Sequence, residues 1–406
     1  MKLIYLHQYF KTPLENGGTR SYDLARSFVK AGYTVYMVST TNDEKIQEKG
    51  KKWVIKHIDG IQVHYLYLPY DNSMSYLKRS VAFVKFLLYA TFKLLKLKGD
   101  LLLATSTPLT IGVPSLIKKW FHKTPLVFEV RDVWPEAVIA IGAISNKYMQ
   151  KMLYRLEKLV YTYADAIVPL SSDMQKSIIS RYPQFESKTN IVIENISEVQ
   201  RFSKLVPVDF SRSSWIGKEV RFAVLYAGTF GKVNNIDYVL ELAKKTIEID
   251  PTIAYILLGA GSEKIRIMDA AKAAGLYNVN VFFPDAVKKD QLNDVYDVAD
   301  IGSSFVAPIK DLWANSANKF FDTLASGKPI LINHEGWQAE VIRREDIGFV
   351  LTPALTDEEI HSFVKYTQDY ELIKLQGGKA REVAMRNYSL EVASSKYLTI
   401  FKSLHV

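Results

Sequence analysis

The chain has 406 residues, of which 48% are hydrophobic and 23% charged, so its composition predicts a globular protein with about two or three domains. It has no cysteine, which excludes disulfides, thiolate metal sites and a cysteine nucleophile, and its seven histidines show no metal-binding spacing. We therefore expect no metal and no cofactor. The net charge of +9 predicts an anionic partner: nucleic acid, a membrane surface or a phosphorylated substrate.

The first strand is predicted to begin almost at the initiator Met, and this segment lacks the basic and apolar regions of a signal peptide. We therefore expect the protein to remain in the cytoplasm. After this strand, Gly17 and Gly18 precede a helix predicted from Thr19 to Ala31. Most glycine pairs are plain turns, but a pair between a strand and an amphipathic helix favours close approach of a ligand to the backbone.

Residues 73–99 contain no acidic residue and are predicted to form a helix. A helical wheel places five basic side chains within about 120° of one another, with apolar side chains over the rest of the surface. These side chains are Lys78, Arg79, Lys85, Lys93 and Lys96. The pattern is typical of a helix that lies on an anionic bilayer, although a core helix with a solvated basic edge has the same pattern.

Residues 101–117 carry no charge, but Pro108 and Pro114 interrupt them. They predict a strand, a turn and the start of a helix rather than a membrane span. The helix continues as a second basic and aromatic segment, Lys118–Lys123, which would lie near the first.

Charged residues follow the next predicted strand, Leu126–Val130. They are Arg131 and Asp132, and then Glu136. Side chains at the carboxyl end of a parallel strand face the ligand crevice of an open α/β sheet. An ion pair that holds the loop is the alternative explanation.

A polar, turn-rich segment, residues 201–218, is interpreted as the connector between two domains, because a second alternation of strands and helices follows it. In this second half, a strand leads to a glycine turn, Gly228–Gly231, with Lys232 beside it. The turn lacks the third glycine of a dinucleotide fingerprint, so NAD binding is not expected.

The most informative stretch is Asn315–Pro329, which follows a buried strand. We predict a helix with Ser316 as its N-cap, Lys319 in its first turn and Asp322 about one turn later. A helix N-terminus at this place binds anions, and a lysine set against the helix dipole indicates a strong anion such as a diphosphate. A carboxylate at Asp322 is placed to accept both hydroxyls of a ribose. A surface helix with an ordinary lysine is the alternative.

Together these segments predict an α/β protein of two doubly wound Rossmann-like domains that face each other across a cleft. The first domain is expected at residues 1–197 and the second, nucleotide-binding domain at 198–388, and a last helix, 389–406, would rejoin the first. Both glycine turns and the Lys319 helix would point into the cleft.

The motifs around this cleft resemble those of one family. They are His7–Phe10, Gly17–Arg20, Arg131–Glu136, Ala164–Ile167 with Ser171, Tyr226–Gly231, Leu258–Gly261, Asn318–Asp322 and Gly327–Pro329. In this order and at these spacings they resemble retaining nucleotide-sugar glycosyltransferases of the GT-B fold, glycosyltransferase family 4, over nearly the whole chain. Within this family the chain is similar to bacterial L-fucosamine (N-acetyl-L-fucosamine) transferases of O-antigen and capsule synthesis.

The resemblance implies a metal-independent transfer of a sugar, such as an N-acetylated hexosamine, from a UDP-sugar to a polyprenyl-diphosphate-linked saccharide. The enzyme would be peripheral on the inner face of the cytoplasmic membrane. The implied catalytic residues are Lys319, Lys232 and Asp132. The implied substrate-binding residues are Gly17, Gly18, Arg20, Arg131, Gly228, Thr229, Gly231, Phe283, Asp285, Asn315, Ser316, Ala317, Asn318 and Asp322.

The implied roles follow the family's pattern. Asp322 matches its ribose-binding acidic residue, and Asn315–Asn318 with Lys319 and Lys232 would hold the diphosphate. Phe283–Ala286 would lie along the base.

Two positions depart from the family. Ala314 stands where the first of two glutamates is usual, and Arg131 stands where a histidine is usual. The sugar contacts at these two points therefore require other residues, for which Asn315, Ser316 and Asp132 are candidates.

Three other functions fit parts of the pattern. A nucleotide-sugar 2-epimerase shares the two-domain fold, but Asp132 and Glu136 lack a histidine partner for proton abstraction. A non-enzymatic sugar-nucleotide-binding protein would bind the same ligand without turnover. A nucleic-acid-binding protein is indicated only by the charge, and since no RNA or DNA module is visible we expect no nucleic-acid partner.

Overall fold

The computed structural model describes residues 1–15, 17–48, 51–68, 76–106, 108–188, 191–203, 216, 219–287 and 291–404, and only the backbone of residues 76–80. Most of the predicted connector, residues 201–218, therefore lies outside the described part of the chain. The described residues form two α/β units, each with its own sheet and its own hydrophobic core.

The first unit has a seven-stranded sheet in the order β3-β4-β2-β1-β5-β6-β7. Its strands are β1 (Lys2–Leu6), β2 (Thr34–Thr41), β3 (Trp53–Ile58), β4 (Ile61–Tyr67), β5 (Leu101–Thr105), β6 (Leu126–Val130) and β7 (Ala166–Pro169). Neighbouring strands are parallel except in the β3–β4 hairpin. That hairpin turns at Asp59 and Gly60, whose φ angles of 48° and 83° are those that a two-residue hairpin turn requires.

Helices cover both faces of this sheet. They are α1 (Arg20–Lys30), α2 (Tyr76–Lys96), α3 (Gly112–His122), α4 (Glu136–Ala140), α5 (Lys147–Tyr163) and α6 (Ser172–Arg181). Successive residues of a strand point to opposite faces, so Leu3 and Tyr5 belong to one core cluster while Ile4 and Leu6 belong to another. The strands are therefore buried on both sides, which is why they appear in the sequence as continuous apolar runs.

The second unit has a six-stranded, fully parallel sheet in the order β10-β9-β8-β11-β12-β13. Its strands are β8 (Phe222–Ala227), β9 (Ile253–Leu258), β10 (Val281–Phe282), β11 (Ile301–Ser304), β12 (Ile330–Ile332) and β13 (Gly348–Val350). Its helices are α7 (Ile236–Ile247), α8 (Lys264–Ala273), α9 (Leu292–Asp297), α10 (Lys310–Trp313), α11 (Asn318–Ala325), α12 (Trp337–Glu345), α13 (Asp357–Tyr366) and α14 (Tyr370–Asn387). The prediction of two doubly wound units is thus confirmed.

The last helix, α15 (Leu390–Ser403), packs on α1 of the first unit, where the Phe401 and Phe28 rings lie 5.1 Å apart. Hydrogen bonds also join the two units directly: the Ser171 hydroxyl donates to the Ala314 carbonyl at 2.6 Å. In both sheets the carboxyl ends of the parallel strands meet at one edge, and the loops at these edges form the ligand crevice of such folds.

No helix among the described residues is both long enough and apolar enough to cross a membrane. Of residues 101–117, the described ones, 101–106 and 108–117, include β5, a turn and the start of α3, as the two prolines predict.

Candidate active site

Helix α11 begins at Asn318, and its N-cap, Ala317, has an extended backbone and makes no side-chain cap. The prediction that Ser316 caps this helix is wrong, because the Ser316 hydroxyl accepts a hydrogen bond from the Asn195 backbone N–H of the first unit at 3.0 Å. The N–H groups of the first turn are therefore left uncapped by a side chain. The residues that carry them line a cleft between the two units, which is the arrangement of an anion site.

Lys319, in the first turn of α11, is half-buried in this cleft. Its ammonium donates a hydrogen bond to Asn234 Oδ1 at 3.0 Å and lies 5.1 Å from the centre of the Tyr226 ring. Burial lowers the pKa of Lys319 to about 8, although the carboxylate of Asp322 partly offsets this effect. An anion that binds beside this ammonium would stabilise its charged form.

Two of the predicted glycines are required by close packing around α11. A β-carbon on Gly228 would lie 2.7 Å from Lys319 Cδ, and one on Gly18 would lie 2.7 Å from Asn318 Nδ2. A larger residue at Gly228 would have to displace the Lys319 side chain, and one at Gly18 would have to displace the Asn318 side chain. Because Gly18 and Asn318 belong to different units, the cleft is narrow at this point.

The cleft consists of two adjoining cavities of about 700 Å³ and about 450 Å³, which share Gly17, Gly18 and the start of α11. The larger cavity extends along the first unit, and the smaller one extends under the loops that follow β8 and β9. The predicted site residues that line one or both cavities are Gly17, Gly18, Arg131, Asp132, Gly228, Thr229, Asn315, Ser316, Ala317, Asn318, Lys319 and Asp322.

Arg20 is a predicted substrate-binding residue that the structure places outside these two cavities. Its guanidinium forms a buried ion pair with Glu129 at 3.1 Å and donates hydrogen bonds to the Ile193 and Glu194 carbonyls. Glu129 is completely buried and would be costly to leave without a cationic partner. Arg20 is therefore a structural residue.

Lys232 and Gly231 also lie outside the two cavities. They line a separate depression beside Arg266, and the Lys232 side chain is exposed. The residue of this segment that contacts Lys319 is Asn234. The prediction that Lys232 shares the diphosphate with Lys319 is therefore not supported by its position.

The predicted base-binding stretch, Phe283–Ala286, reaches the smaller cavity only at its end. The Phe283 ring stacks on Tyr277 with 5.8 Å between their centres, and Asp285 is exposed. The residues of this loop that line the smaller cavity are Ala286 and Val287. The loop therefore borders the site through Ala286, the last residue of the predicted stretch, and through Val287, whereas Phe283 and Asp285 do not line the cavity.

The first-unit wall of the larger cavity carries Arg131 and Asp132. The ion-pair explanation applies to Glu136, whose carboxylate lies 2.9 Å from Arg181, but not to Arg131. Arg131 Nη1 instead lies 3.3 Å from Nε2 of the buried His7. Apolar side chains complete this wall, namely Trp134, Ala137, Val138 and Ile141.

Three site residues were not among the predicted ones. They are Asn195, Asn234 and His7. The Asn195 amide donates to the Ser316 carbonyl at 2.8 Å and to Asn318 Oδ1 at 2.6 Å, so it fixes the start of α11 against the first unit. The sequence signals are weak: His7 follows the first predicted strand, Asn234 follows the glycine turn Gly228–Gly231, and Asn195 lies close to the predicted end of the first domain. His7 also begins one of the motifs that carry the family resemblance.

The predicted basic stripe of α2 is only partly available to a ligand. The side chains of Lys78 and Arg79 lie outside the described part of the structure. Lys85 and Lys96 are exposed, whereas Lys93 is half-buried, with its ammonium 5.3 Å from the centre of the Trp53 ring. Four apolar side chains share the exposed face of α2, namely Val81, Val84, Leu88 and Phe92.

The second basic segment is less basic than predicted. Lys118 is buried and donates a hydrogen bond to the Leu97 carbonyl at 2.7 Å, and Lys119 forms an ion pair with Asp165. The aromatic residues of this segment are more accessible, since Phe121 is 74% exposed.

Two family models match this chain, one in each unit. Residues 17–196 match the model described as Glycosyltransferase Family 4, and residues 209–373 match the model described as Glycosyl transferases group 1. The chain belongs to the GT-B glycosyltransferase superfamily that includes these two families. This assignment confirms the predicted enzyme class and favours it over the epimerase and the non-enzymatic binding protein.

Known proteins with similar sequences or folds are distant. Spore coat protein SA of Bacillus subtilis (strain 168) is 20% identical over 286 residues, which cover 66% of this chain and 73% of that protein. Sucrose-phosphate synthase from Thermosynechococcus elongatus has a similar structure, with a TM-score of 0.76, 14% identity and coverage of 99% and 98% of the two chains. Anabaena Alr3699/HepE, in complex with UDP and glucose, has a TM-score of 0.72, 17% identity and coverage of 99% and 100%.

These likenesses establish the GT-B fold of this glycosyltransferase. The finer likeness to L-fucosamine transferases stays a prediction, as do the sugar and the acceptor. Among the described residues, no group of three or more His, Asp and Glu side chains is arranged to hold a metal ion.

Proposed function

We propose that this glycosyltransferase moves an N-acetylated hexosamine, such as N-acetylfucosamine or N-acetylglucosamine, from a UDP-sugar to a polyprenyl-diphosphate-linked saccharide. The anomeric configuration is retained, and the product enters a bacterial surface polysaccharide such as O-antigen or capsule. The observation that carries the proposal is the half-buried Lys319 at the open N-terminus of α11, with Asp322 one turn later beside the same cleft.

The donor is assigned from the chemistry of this helix. Its first N–H groups and the Lys319 ammonium would bind the diphosphate, and the Asp322 carboxylate would accept the ribose hydroxyls. The choice of UDP is supported by the Anabaena protein of similar fold, which was solved with UDP and glucose. Because the two chains are only 17% identical, the identity of the nucleotide is part of the proposal.

The chemistry requires stabilisation of the leaving group. As the bond between the anomeric carbon and the diphosphate oxygen breaks, negative charge develops on the diphosphate. The acceptor hydroxyl attacks the same face of the sugar, and its proton passes to the departing diphosphate. Preorganised donors are worth most where such charge develops, and Lys319 with the first-turn N–H groups supplies them. Asp132, on the opposite wall, would hold sugar hydroxyls.

Calorimetry with UDP tests the donor assignment. Asp322→Ala removes the ribose acceptor and is expected to weaken UDP binding by about 1.5–3 kcal/mol, the value of a hydrogen bond to a charged group. Asp285→Ala, at an exposed position outside the cleft, is the matched control and should bind UDP as the wild type does. Unchanged UDP affinity in Asp322→Ala would refute the assignment.

The acceptor assignment rests on the first unit. An apolar wall beside the sugar site suits a lipid-linked substrate, and the exposed apolar face of α2 adjoins exposed Lys85 and Lys96. We therefore propose that α2 and α3 dock on the anionic inner face of the cytoplasmic membrane. Each lysine near such a surface contributes about 1 kcal/mol, and the apolar side chains add burial.

Vesicle sedimentation tests this docking. The wild type should sediment with anionic vesicles at low salt and less at high salt. A variant with Lys85→Gln, Lys96→Gln, Leu88→Ser and Phe92→Ser should stay in solution, while Lys232→Gln with Lys272→Gln, on the second unit, should sediment as the wild type does. Equal sedimentation of all three proteins would mean that α2 has only a solvated basic edge.

A further inference from the structure

Arg131 is a cation without a counter-ion in the wall of the larger cavity. It follows β6, is half-buried, and makes one side-chain hydrogen bond, from Nη1 to His7 Nε2 at 3.3 Å. None of the described carboxylates forms an ion pair with it. Lys11, another cation of this wall, differs because it is paired with Glu15 at 2.7 Å.

The buried carboxylate of Glu129 is committed to other groups. Glu129, which feels the charge of Arg131, pairs with Arg20 and also accepts hydrogen bonds from Thr105 and Tyr397. Asp132 follows Arg131 in the chain and lines the same cavity, but it forms no ion pair with Arg131. The positive charge of Arg131 is therefore free to act on a ligand.

His7 positions this guanidinium without neutralising it. A guanidinium only donates hydrogen bonds, so His7 Nε2 accepts, and Nδ1 carries the proton that it donates to the Ser21 hydroxyl at 2.6 Å. Burial and the charge of Arg131 lower the pKa of His7 well below its usual value. His7 is thus a neutral acceptor that holds one N–H group of the guanidinium in place. The remaining N–H groups of Arg131 can bind an anion.

We propose that Arg131 forms a second anion subsite, separate from the diphosphate site at Lys319, for an oxyanion of the substrate held against the first-unit wall. The proposal rests on the proposed function, because it assumes that a donor diphosphate occupies the Lys319 site. An arginine fork matches the geometry of a phosphate or a carboxylate. The oxyanion could come from either of two substrates: it is a phosphate of the lipid-linked acceptor or a carboxylate on the transferred sugar.

The surroundings favour the acceptor phosphate. Arg131 shares its cavity wall with Trp134, Val138 and Ile141. A ligand with an anionic head group and an apolar tail would satisfy both parts of this wall, whereas a carboxylated sugar would leave the apolar part in contact with polar groups.

Calorimetry with pyrophosphate at saturating UDP tests the subsite directly, since UDP then fills the Lys319 site. The wild type is expected to bind pyrophosphate, and Arg131→Gln to bind it at least about tenfold more weakly, with UDP affinity unchanged in both. Arg131→Lys keeps the charge but not the fork and should fall between them, and thermal melting checks that each variant is folded. A wild type that binds UDP but no pyrophosphate, or equal pyrophosphate affinity in wild type and Arg131→Gln, overturns the subsite.

A second arm separates this proposal from the proposed function. If the wild type does not bind UDP, the donor assignment fails, and the subsite is then tested in the Lys319→Gln background without UDP. There too Arg131→Gln should weaken pyrophosphate binding about tenfold. Equal binding with and without Arg131→Gln in that background overturns the subsite.

Kinetics identify the source of the anion. If it belongs to the acceptor, Arg131→Gln raises KM for a diphosphate-linked acceptor but not for the UDP-sugar, and both proteins use a phosphate-free acceptor equally. If it belongs to the sugar, the variant raises KM for a UDP-uronate but not for a UDP-hexosamine. Unchanged KM values for all these substrates would contradict the subsite.

Discussion

The two walls of the cleft are built from different parts of the chain. The second-unit wall is mostly backbone: the turns at Gly228 and Gly259 and the uncapped start of α11 surround the Lys319 side chain. The first-unit wall is mostly side chains, with Arg131 held by His7 beside an apolar surface. A backbone wall is rigid and tolerates few substitutions, whereas a side-chain wall can change its ligand by single substitutions.

The largest expected effect is on the backbone wall. Gly259 has a φ of 144°, and a β-carbon there would lie 1.8 Å from the Gly228 carbonyl oxygen. Gly259→Ala should therefore lower the free energy of unfolding by more than about 2 kcal/mol and abolish UDP binding. Urea denaturation and calorimetry measure the two effects.

Gly378→Ala is the matched control for this prediction. Gly378 is exposed within α14, and nothing lies within 4 Å of a β-carbon built there. The change should be neutral or stabilise the helix by up to about 1 kcal/mol. If both glycine variants behave alike, the contact between the Gly228 and Gly259 turns does not shape the donor site.

The next effect compares two lysines. Lys319→Gln removes the ammonium from the cleft and should lower kcat by about 10²–10³-fold, as loss of a preorganised donor to a developing charge does. Lys232→Gln, outside the cleft, should leave kcat nearly unchanged. Steady-state kinetics with saturating donor decide between them, and a large loss in Lys232→Gln would restore Lys232 to the diphosphate site.

The same comparison explains what could be predicted from sequence. Strand β9, Ile253–Leu258, can be recognised in the sequence, since a buried parallel strand is a continuous apolar run that ends here at a glycine turn. The position of Lys319 and Asp322 on one helix could also be predicted, because the spacing within a helix is fixed.

Two of the errors concern residues whose partners are distant in sequence. Arg20 follows a glycine pair as a ligand-binding residue would, but its partner Glu129 lies 109 positions away. Ser316 is a residue type that commonly caps helices, but its hydroxyl instead accepts a hydrogen bond from the Asn195 backbone N–H of the other unit. Local pattern predicts backbone geometry, while the pairing of polar side chains depends on how the two units meet.

A smaller effect is the expected pH dependence of UDP affinity, which follows from the ionisation of the Lys319 ammonium. The pKa of Lys319 is lowered to about 8, so the side chain is charged below pH 8 and loses its charge as the pH rises through that value. UDP affinity should therefore fall by about tenfold between pH 7 and pH 9, the loss of a charge-assisted hydrogen bond. Calorimetry across this range measures it. Lys319→Arg stays charged and should show a flat profile, and an equal decline in that variant would assign the pH dependence to another group.

The smallest expected effect is that of a chelator. In the proposed reaction, Lys319 and the first-turn N–H groups of α11 would supply the charge stabilisation that a divalent ion provides in other transferases. Turnover should therefore be unchanged in excess EDTA, measured with the same donor and acceptor concentrations as the untreated enzyme. The same assay on Lys319→Gln sharpens the comparison, because a metal that shares the diphosphate would partly rescue this variant when Mg²⁺ or Mn²⁺ is added. If EDTA abolishes wild-type turnover and Mg²⁺ or Mn²⁺ restores it, the backbone wall is not sufficient for the leaving group and the donor site must include a metal.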